Sequence, residues 1–377
     1  MSTDAIETVL RLQIDATDGF ARTGVVHTAR GSFRTPCFMP VGTRAAVRTL
    51  TSADLEKLGA EVILGNTYHL MLKPGADLID RFGGLHGFAD WHGHVLTDSG
   101  GFQIFSLEPK VNDEGAKFKS TYDGSYHHLS PEGSVEVQQK LGSDIQMVLD
   151  VCPPLPSSEA VVRAALERSV LWAGRAKAAH APARQSGSKQ AQFGIVQGGV
   201  DVAMRTESAE RTLEIGFDGY GIGGLSVGET RAEMLPALAA VTEVLPADRP
   251  RYLMGVGDPA SLIEAVNLGV DQFDCVLQTR LGRHGTALTS TGKLNMKNAQ
   301  YALQDLPLDA ECACMVCRRH SRAYIRHLFQ TSEPTASRLV SYHNIAWTFA
   351  LMAEMRESIG NGTFQQMRQR VMGVWGS

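Results

Sequence analysis

Three cysteines and one histidine form the most specific chemical pattern in the sequence. Cys312, Cys314 and Cys317 lie within one hexapeptide, and His343 follows in Ser-Tyr-His-Asn. Three thiolates and one imidazole suit tetrahedral Zn²⁺, and four protein ligands leave no coordination position open for water. The alternative is three ordinary cysteines near a core histidine, but half of the chain's six cysteines fall in this hexapeptide. We therefore predict one structural zinc ion, with the catalytic chemistry elsewhere.

Three aspartates that follow apolar runs form the second pattern. They occur as Thr-Asp98-Ser-Gly-Gly, Leu-Asp150-Val-Cys and Phe-Asp274-Cys-Val. One such aspartate can simply cap the next helix, but three favour a shared site. Paired carboxylates suit substitution at the anomeric carbon of a sugar, because one attacks and carries the sugar while the other moves the leaving group's proton. Two such steps retain the configuration at that carbon.

Residues near these aspartates could form a pocket for a flat ring. The glycine pairs at 100–101, 198–199 and 223–224 let the backbone approach a ligand and expose amide donors, unless they serve only tight turns. Phe102 and Met254 could cover the faces of a heterocycle, although either residue type is often core. Gln197 and Gly224 also follow apolar runs, so we expect them at the same site.

The elements that must position these residues recur along the chain. Short apolar or β-branched runs occupy residues 36–41, 62–66, 95–98, 145–150, 193–197, 219–223, 252–255 and 272–276. Capping signals predict helices at 130–142 and 258–269, an alanine-rich helix at 157–181, and a helix that ends at Gly216. Eight buried strands alternating with helices predict an α/β fold of the (β/α)8 TIM-barrel type, with activity at the carboxyl ends of the strands. An open doubly wound sheet is the alternative, but no Gly-x-Gly-x-x-Gly turn follows the first strand.

The predicted domain organisation is one barrel domain over residues 1–377. We expect an insertion at residues 106–128 and a zinc-binding subdomain inserted at about residues 300–345. The first residues lack an apolar signal segment, and no apolar run approaches the ~20 residues that span a bilayer. We therefore expect a cytoplasmic protein with reduced thiols. No additional RNA-binding module is expected after the zinc segment.

Charge is distributed unevenly. The net charge is −4, yet residues 280–326 carry eight basic residues against three acidic ones. A basic segment beside a zinc site predicts a phosphate-contacting face, because phosphate neutralisation dominates affinity for nucleic acids. A solvated charged surface is the alternative.

Several motifs in order resemble one family over nearly the whole chain. They are Thr-Asp-Ser-Gly-Gly-Phe-Gln at 97–103, Phe-Gly-Ile-Val-Gln-Gly at 193–198, Gly-Gly-Leu-Ser-Val-Gly-Glu at 223–229, Arg-Tyr-Leu-Met-Gly-Val-Gly at 251–257, Phe-Asp-Cys-Val at 273–276 and the Cys3His set. With these motifs the chain resembles the queuine/guanine tRNA-ribosyltransferases, the tRNA-guanine transglycosylases, of the bacterial type. The resemblance implies exchange of the wobble guanine in G-U-N anticodons, those of tRNAs for aspartate, asparagine, histidine and tyrosine. The incoming base would be 7-aminomethyl-7-deazaguanine (preQ1), on the route to queuosine.

The resemblance also implies roles for individual residues. Asp274 would be the nucleophile that forms a ribosyl-aspartate intermediate. Asp98 would be the general acid/base and would also contact the substrate. The predicted base-binding residues are Phe102, Asp150, Cys152, Gln197, Gly224, Leu225, Val227, Glu229 and Met254. Arg280 and Arg283 resemble the tRNA-contacting arginines of the family. A homodimer is implied, with contact candidates Phe88, Trp91, Tyr324 and His327.

Two positions depart from the pattern, and three other functions stay open. Val151 stands where an acidic residue is common, and Gln278 stands where a proline is common. Val227 in place of the glycine of eukaryotic members favours the smaller base. A non-catalytic tRNA-binding subunit, a sugar hydrolase with the same carboxylates and a zinc hydrolase are the alternatives, the last disfavoured by the closed ligand set.

Overall fold

The computed structural model describes residues 9–376, so the amino-terminal residues used above to predict location lie outside the described range. The strands in this range are, in chain order, β1 Leu10–Asp18, β2 Ala21–Thr28, β3 Gly31–Thr35, β4 Cys37–Gly42, β5 Val62–Gly65, β6 His94–Thr97, β7 Lys110–Asn112, β8 Gly115–Lys119, β9 Tyr126–Leu129, β10 Ile145–Met147, β11 Ala191–Val196, β12 Gly219–Ile222, β13 Arg251–Leu253, β14 Gln272–Cys275, β15 Thr286–Thr289 and β16 Gly292–Asn295.

Eight of these strands close a parallel barrel in the order β4-β5-β6-β10-β11-β12-β13-β14. The ring closes where Gln272 of β14 pairs with Cys37 of β4. Each predicted apolar run contains or overlaps one of these strands, so the (β/α)8 barrel is confirmed and the open sheet is excluded. Near-continuous burial along strands such as β11 reflects packing on both faces, by side chains inside the barrel and by helices outside.

The α-helices of the described range follow or separate the strands. They are α1 Ser52–Leu58, α2 Thr67–Leu72, α3 Ala76–Arg81, α4 Gly84–Ala89, α5 Gly101–Phe105, α6 Pro131–Leu141, α7 Glu159–Gln185, α8 Val202–Ile215, α9 Arg231–Val244, α10 Pro259–Asn267, α11 Leu277–His284, α12 Met315–Arg319, α13 Arg322–Gln330, α14 Pro334–Gly360 and α15 Phe364–Trp375, with a 3₁₀ turn at Ala299–Tyr301. None of them is long and apolar enough to cross a membrane.

The predicted capping signals are confirmed. Ser130 accepts a hydrogen bond from the Gly133 amide at the start of α6, and Gly142 ends that helix in the left-handed conformation. Gly216 ends α8. The alanine-rich helix, α7, begins at Glu159, two residues later than predicted, and continues to Gln185, because Pro182 is accommodated in its last turns.

The insertion predicted at 106–128 is an antiparallel sheet in the order β7-β8-β9. Its inner face is apolar, and Phe118 and Leu129 belong to a core cluster with Trp172 of α7. A second antiparallel sheet, β1-β2-β3, lies at the amino-terminal end of the barrel, where the Arg22 guanidinium donates hydrogen bonds of 2.8 and 2.6 Å to the Asp271 carboxylate.

The segment between α11 and α14 carries the cysteine cluster. A Cβ added to Gly282 of α11 would lie 2.6 Å from the amide nitrogen of Ser341, so α11 and α14 meet almost backbone to backbone. This close crossing joins the metal-binding region to the helix that directly follows β14. The division into one barrel domain and a subdomain at about 300–345 stays a prediction.

Candidate active site

Three aspartates that lie far apart in the chain meet at the carboxyl ends of the barrel strands. Asp98 follows β6, Asp150 lies three residues after β10, and Asp274 is part of β14. Burial raises the pKa of Asp98 most, and charge on the nearby Asp274 and Asp150 raises it further. The three carboxylates expected to share a site therefore lie near one another, and their roles stay a prediction.

Asp98 is held by donors from the neighbouring strand end. The Asn66 side chain donates to Oδ2 at 2.7 Å, and the Thr67 amide donates to Oδ1 at 2.8 Å. Burial raises the pKa of Asp98 to about 7, against the lowering effect of the Thr67 and Gly100 amides. A carboxyl group that titrates near neutral pH can both donate and accept a proton, as general acid/base catalysis requires. The sequence motif did not identify Asn66 and Thr67, which follow a different strand.

Asp274 is fixed through one oxygen. The Tyr252 hydroxyl donates to Oδ1 at 2.6 Å, and the Gly255 amide donates to the same oxygen at 2.7 Å. Burial raises the pKa of Asp274, while the two donors lower it. Because both hydrogen bonds go to Oδ1, Oδ2 is left for a reacting atom. A positioned carboxylate of this kind can serve as a nucleophile.

Asp150 forms the deeper part of the site. It is 5% exposed, and Gln197 donates to its Oδ2 at 2.6 Å while the Ser99 hydroxyl lies 3.4 Å from Oδ1. Burial raises the pKa of Asp150 to about 6, so the group is ionised but poorly solvated at neutral pH. Such a carboxylate is suited to accept hydrogen bonds from N–H groups of a bound ring.

Gly223 and Gly224, which follow β12, allow the backbone to pass close to the Gln197 side chain. Gly224 has φ +64°, and a Cβ on it would lie 2.2 Å from Oε1 of Gln197. A Cβ on Gly223 would lie 2.7 Å from Nε2 of the same side chain. Any larger residue would displace the amide that bonds to Asp150, so close packing explains this pair.

Arg205 supports the backbone around Gln197, Gly223 and Gly224, a role that the sequence did not predict. Its guanidinium is fully buried on α8 and donates to the carbonyl oxygens of Val196, Gly199, Gly223 and Gly224 at 2.7–3.1 Å. A charged residue on the inward side of a helix gives no distinctive sequence signal. Only the assembled fold shows that it ties the ends of β11 and β12 together.

The loop after Gly224 has a defined backbone arrangement. The amides of Ser226 and Val227 both donate to the Glu229 carboxylate, the latter at 3.0 Å. Leu225 is buried, and Ser226 adopts φ +62°. The Glu229 carboxylate therefore holds the two peptide groups that follow Leu225 in one orientation.

Cys152, Met254 and Phe102 complete the predicted pocket residues. Burial raises the pKa of Cys152 to about 12, so its thiol is protonated, and Gln197 and the Gly224 amide partly offset this rise. Met254 is half-buried, with its sulfur 3.2 Å from the position of a Cβ on Gly221. Phe102, on α5, is 59% exposed and so is available to cover a ligand at the mouth.

Arg280 and Arg283 lie on α11, directly after Asp274. Arg280 is exposed and Arg283 is half-buried. Burial lowers the pKa of Arg283, and the charges of Arg48 and Arg280 lower it further. Three arginines therefore come together beside the mouth.

The four predicted metal ligands also meet. One ligand atom from each of Cys312, Cys314, Cys317 and His343 lies within 4.8 Å of the others. Nδ1 of His343 lies 3.3 Å from the Cys317 sulfur, and its Nε2 lies 2.8 Å from the Leu288 carbonyl oxygen. That carbonyl accepts a hydrogen bond from the Nε2–H group and leaves Nδ1 for a metal, the usual arrangement of a ligating histidine. The cluster can bind a metal ion.

The side chains at both departures are buried, Val151 in the core cluster with Trp172, and one predicted subunit-contact residue is wrong. Gln278 is buried and donates to the Gly257 carbonyl at 2.9 Å, and the Val151 amide bonds to the Ser169 hydroxyl. Trp91 is 2% exposed and donates its indole N–H to the His94 carbonyl, so it packs in the core and cannot form a subunit contact.

Comparisons with known proteins agree with this geometry. The family profile described as Queuine tRNA-ribosyltransferase matches residues 16–377. Among curated relatives named queuine tRNA-ribosyltransferase, that of Caulobacter vibrioides is 52% identical over 360 residues, which cover 95% of this chain and 96% of the relative. That of Sphingopyxis alaskensis is 50% identical over 94% of this chain and 95% of its own length. That of Symbiobacterium thermophilum is 49% identical over 94% and 88%.

Proposed function

The chain belongs to the queuine tRNA-ribosyltransferase family, and we propose that it exchanges the wobble guanine of G-U-N anticodons for preQ1 through a covalent ribosyl-aspartate intermediate. It is a pentosyltransferase that acts by tRNA-guanine transglycosylation in queuosine synthesis. The observation that carries the finer proposal is the pairing of a fixed carboxylate, Asp274, with a carboxyl group that titrates near pH 7, Asp98. Because its substrate is tRNA, we place the enzyme in the cytoplasm.

Asp274 acts as the nucleophile. Its Oδ2 attacks C1′ of the ribose while the glycosidic bond to guanine breaks, which leaves the RNA attached to the carboxylate as an ester. The Tyr252 hydroxyl and Gly255 amide hold Oδ1, so the attacking oxygen needs no reorientation. Attack by the incoming base then reverses the step, and two inversions retain the configuration at C1′.

Asp98 moves the proton. A pKa raised to about 7 keeps part of the enzyme protonated at neutral pH, ready to protonate the departing guanine. After guanine leaves, the same carboxylate accepts a proton from the incoming base. Asn66 and Thr67 position Asp98 for both steps.

Asp150, Gln197 and Gly224 read the base. Asp150 accepts hydrogen bonds from the ring N–H and the adjacent exocyclic amine, a donor pattern that guanine and preQ1 share and adenine lacks. Gln197 and the Gly224 amide donate to the six-position oxygen. Burial of Asp150 supports this role, because a carboxylate deprived of solvent gains most from N–H donors. Phe102 and Met254 cover the two faces of the ring.

The Leu225 carbonyl accepts from the aminomethyl group of preQ1. The bond from the Ser226 amide to Glu229 supports this, because the Leu225 carbonyl belongs to the same peptide group and points away from that N–H, which leaves its oxygen for a ligand. Val227 and Cys152 limit the space beside the aminomethyl group and so disfavour the bulkier queuine.

RNA contacts and the metal complete the proposal. Arg280 and Arg283 bind phosphates next to the target nucleotide, which must leave its stack to reach the pocket. Cys312, Cys314, Cys317 and His343 hold one Zn²⁺, whose four protein ligands make it a structural rather than a hydrolytic metal.

We also propose a homodimer. Exposed apolar side chains at Leu303, Leu306 and Tyr324 support an interface on the zinc-binding segment. Tyr324, His327 and Phe88 remain the predicted contacts from the sequence.

The test is incorporation of labelled guanine, followed by displacement with preQ1, in an unmodified tRNA with a G-U-N anticodon. Wild type should incorporate label and form an RNA adduct that survives denaturation, while Asp274→Asn should do neither. A tRNA without the G-U-N anticodon is the matched substrate control. If wild type binds the tRNA without exchanging its base, the chain is instead the non-catalytic subunit. Hydrolytic release of the base from free nucleosides, with no need for a folded anticodon stem-loop, would indicate the sugar hydrolase.

A further inference from the structure

The outer face of the inserted sheet β7-β8-β9 combines basic and aromatic side chains. Strand alternation and register place Lys110, Lys117, Lys119, Tyr126 and His128 on this face, and all five are exposed. The inner face carries the apolar residues that pack on the barrel. The sheet is therefore amphipathic, with a solvent face on which positive charge is concentrated.

The charge on this face is uncompensated. Lys110 and Lys117 are directly opposite each other in the register, an arrangement that costs free energy because like charges repel across strands. The three strands contain no acidic residue, and none of the three lysines forms an ion pair within residues 9–376. The acids of the insertion, Glu108, Asp113, Glu114 and Asp123, lie outside its three strands. Asp113 pairs with Arg168, and Asp123 accepts from Ser125.

The sheet lies on the rim of the barrel mouth. The hydroxyl of Tyr122, in the β8–β9 turn, lies 2.9 Å from Nδ1 of His69 on α2, which follows β5. The Arg44 guanidinium, in the loop after β4, lies 5.2 Å from the centroid of the Tyr122 ring. Arg48 of the same loop is close enough to Arg283 to lower its pKa. Arginines of α11 and of the β4 loop thus lie between the mouth and the β8–β9 turn of the insertion.

We propose that the outer face of β7-β8-β9 binds the ribose-phosphate backbone of the RNA substrate, as an extension of the arginine surface beside the pocket. The proposal rests on the transglycosylase function for the identity of the RNA. Lys110, Lys117 and Lys119 supply the charge that phosphates would offset. Tyr126 is 71% exposed with the Lys117 ammonium 5.6 Å from its ring centroid, and offers its other ring face to a sugar or base.

The test measures binding of an unmodified G-U-N tRNA by the full-length protein over a series of salt concentrations. Lys117→Gln/Lys119→Gln should raise Kd about five- to twentyfold at ~0.1 M salt and reduce the slope of log K against log salt by about 1 to 2. Arg11→Gln/Lys57→Gln is the matched control, because it removes the same charge from exposed positions at the amino-terminal end of the barrel. The control should bind within twofold of wild type, and the KM for guanine should be unchanged in both variants.

The outcomes separate this surface from the catalytic proposal. Equal Kd and equal salt slope for wild type and the lysine variant would overturn the surface, even if wild type exchanges guanine. If the lysine variant binds tRNA more weakly and with a smaller salt slope, while wild type exchanges no guanine, the RNA-binding surface is supported and the activity is rejected. Absence of tRNA binding by wild type would overturn both.

Discussion

The Tyr252 hydroxyl donates a 2.6 Å hydrogen bond to Oδ1 of Asp274, and the Gly255 amide donates to the same oxygen at 2.7 Å. One oxygen of the carboxylate is therefore held by two donors, and the other is left for a ligand. These donors also partly offset the rise in the pKa of Asp274 that burial causes. The same two contacts thus set the orientation of the group and its ionisation.

Replacing Tyr252 with phenylalanine should slow formation of the RNA adduct. Loss of a hydrogen bond to a carboxylate costs about 1.5–3 kcal/mol, so we expect a roughly 10- to 100-fold lower rate at neutral pH. The pKa of Asp274 should rise, so activity should be lost at a higher pH as the solution is acidified. Single-turnover adduct formation against pH measures this. Tyr220→Phe is the control, because within residues 9–376 the Tyr220 hydroxyl accepts only from the Phe217 amide, 3.4 Å away. Equal profiles for both variants would contradict the role of Tyr252.

The pH dependence of the two half-reactions should run in opposite directions through about pH 7. Adduct formation needs Asp98 protonated, so its rate should fall about tenfold per unit above the pKa of about 7. Release of the adduct by the incoming base needs Asp98 ionised, so its rate should fall below that pH. Asp98→Asn should remove both of these pH-dependent changes in rate. A wild-type half-reaction whose rate is independent of pH between 5 and 9 would refute the role of Asp98 in proton transfer.

Asp150→Asn should stabilise the fold at pH 8 but not at pH 4. The pKa of Asp150 is raised by burial from 3.8 to about 6. The folded wild type therefore binds more protons than the unfolded chain in this window, and its stability falls as pH rises from about 4 to 6, by on the order of 3 kcal/mol. Asparagine does not titrate and escapes this loss, although base binding should disappear. Urea unfolding at the two pH values, with exposed Asp15→Asn as control, measures the effect; an equal difference at both pH values would contradict it.

Gly224→Ala should impair base binding more than its backbone strain explains. Gly224 and Gly216 both have positive φ, but a Cβ on Gly224 would lie 2.2 Å from Gln197 and one on Gly216 would meet nothing within 4 Å. Both variants should lose about 1–2 kcal/mol of stability from strain. Only Gly224→Ala should raise the KM for guanine, by at least about tenfold, because Gln197 must move. Similar KM values in the two variants would rule out the close packing as a determinant of base affinity.

Removing the metal should loosen the carboxyl-terminal region before it affects the carboxylates. Cys314→Ser should lose bound zinc and lower the melting temperature, because a structural metal contributes folding free energy. Cys152→Ala is the control, since that thiol lies outside the cluster and should leave the metal content unchanged. Metal analysis, thermal melting and chelator titration of both variants measure this. A metal-free Cys314→Ser protein that melts like wild type would show that the cluster is not a structural metal site.

The elements of the fold could be predicted because their signals are local. Each barrel strand is a short apolar run, and Ser130 and Gly142 mark the ends of α6 through contacts within a few residues. The metal cluster was predictable for a similar reason, since three of its four ligands lie within six residues. Catalytic candidates emerged because the carboxyl ends of parallel strands meet at one mouth.

The surroundings of each carboxylate were not predictable in the same way. Tyr252 lies 22 residues from Asp274, and Asn66 lies 32 residues from Asp98. Arg205 and Trp91 are buried although their residue types and neighbours did not indicate it.

By itself, the sequence determined the strands, the helix ends, the ligand set and the three aspartates that reach the mouth, because these follow from residue type and spacing along the chain. Only the tertiary structure decided which oxygen of Asp274 is free, why the pKa of Asp98 is near 7, and which face of the inserted sheet meets solvent. Those properties depend on burial and on electrostatic interactions that sum over groups distant in sequence, so they exist only once the barrel has closed.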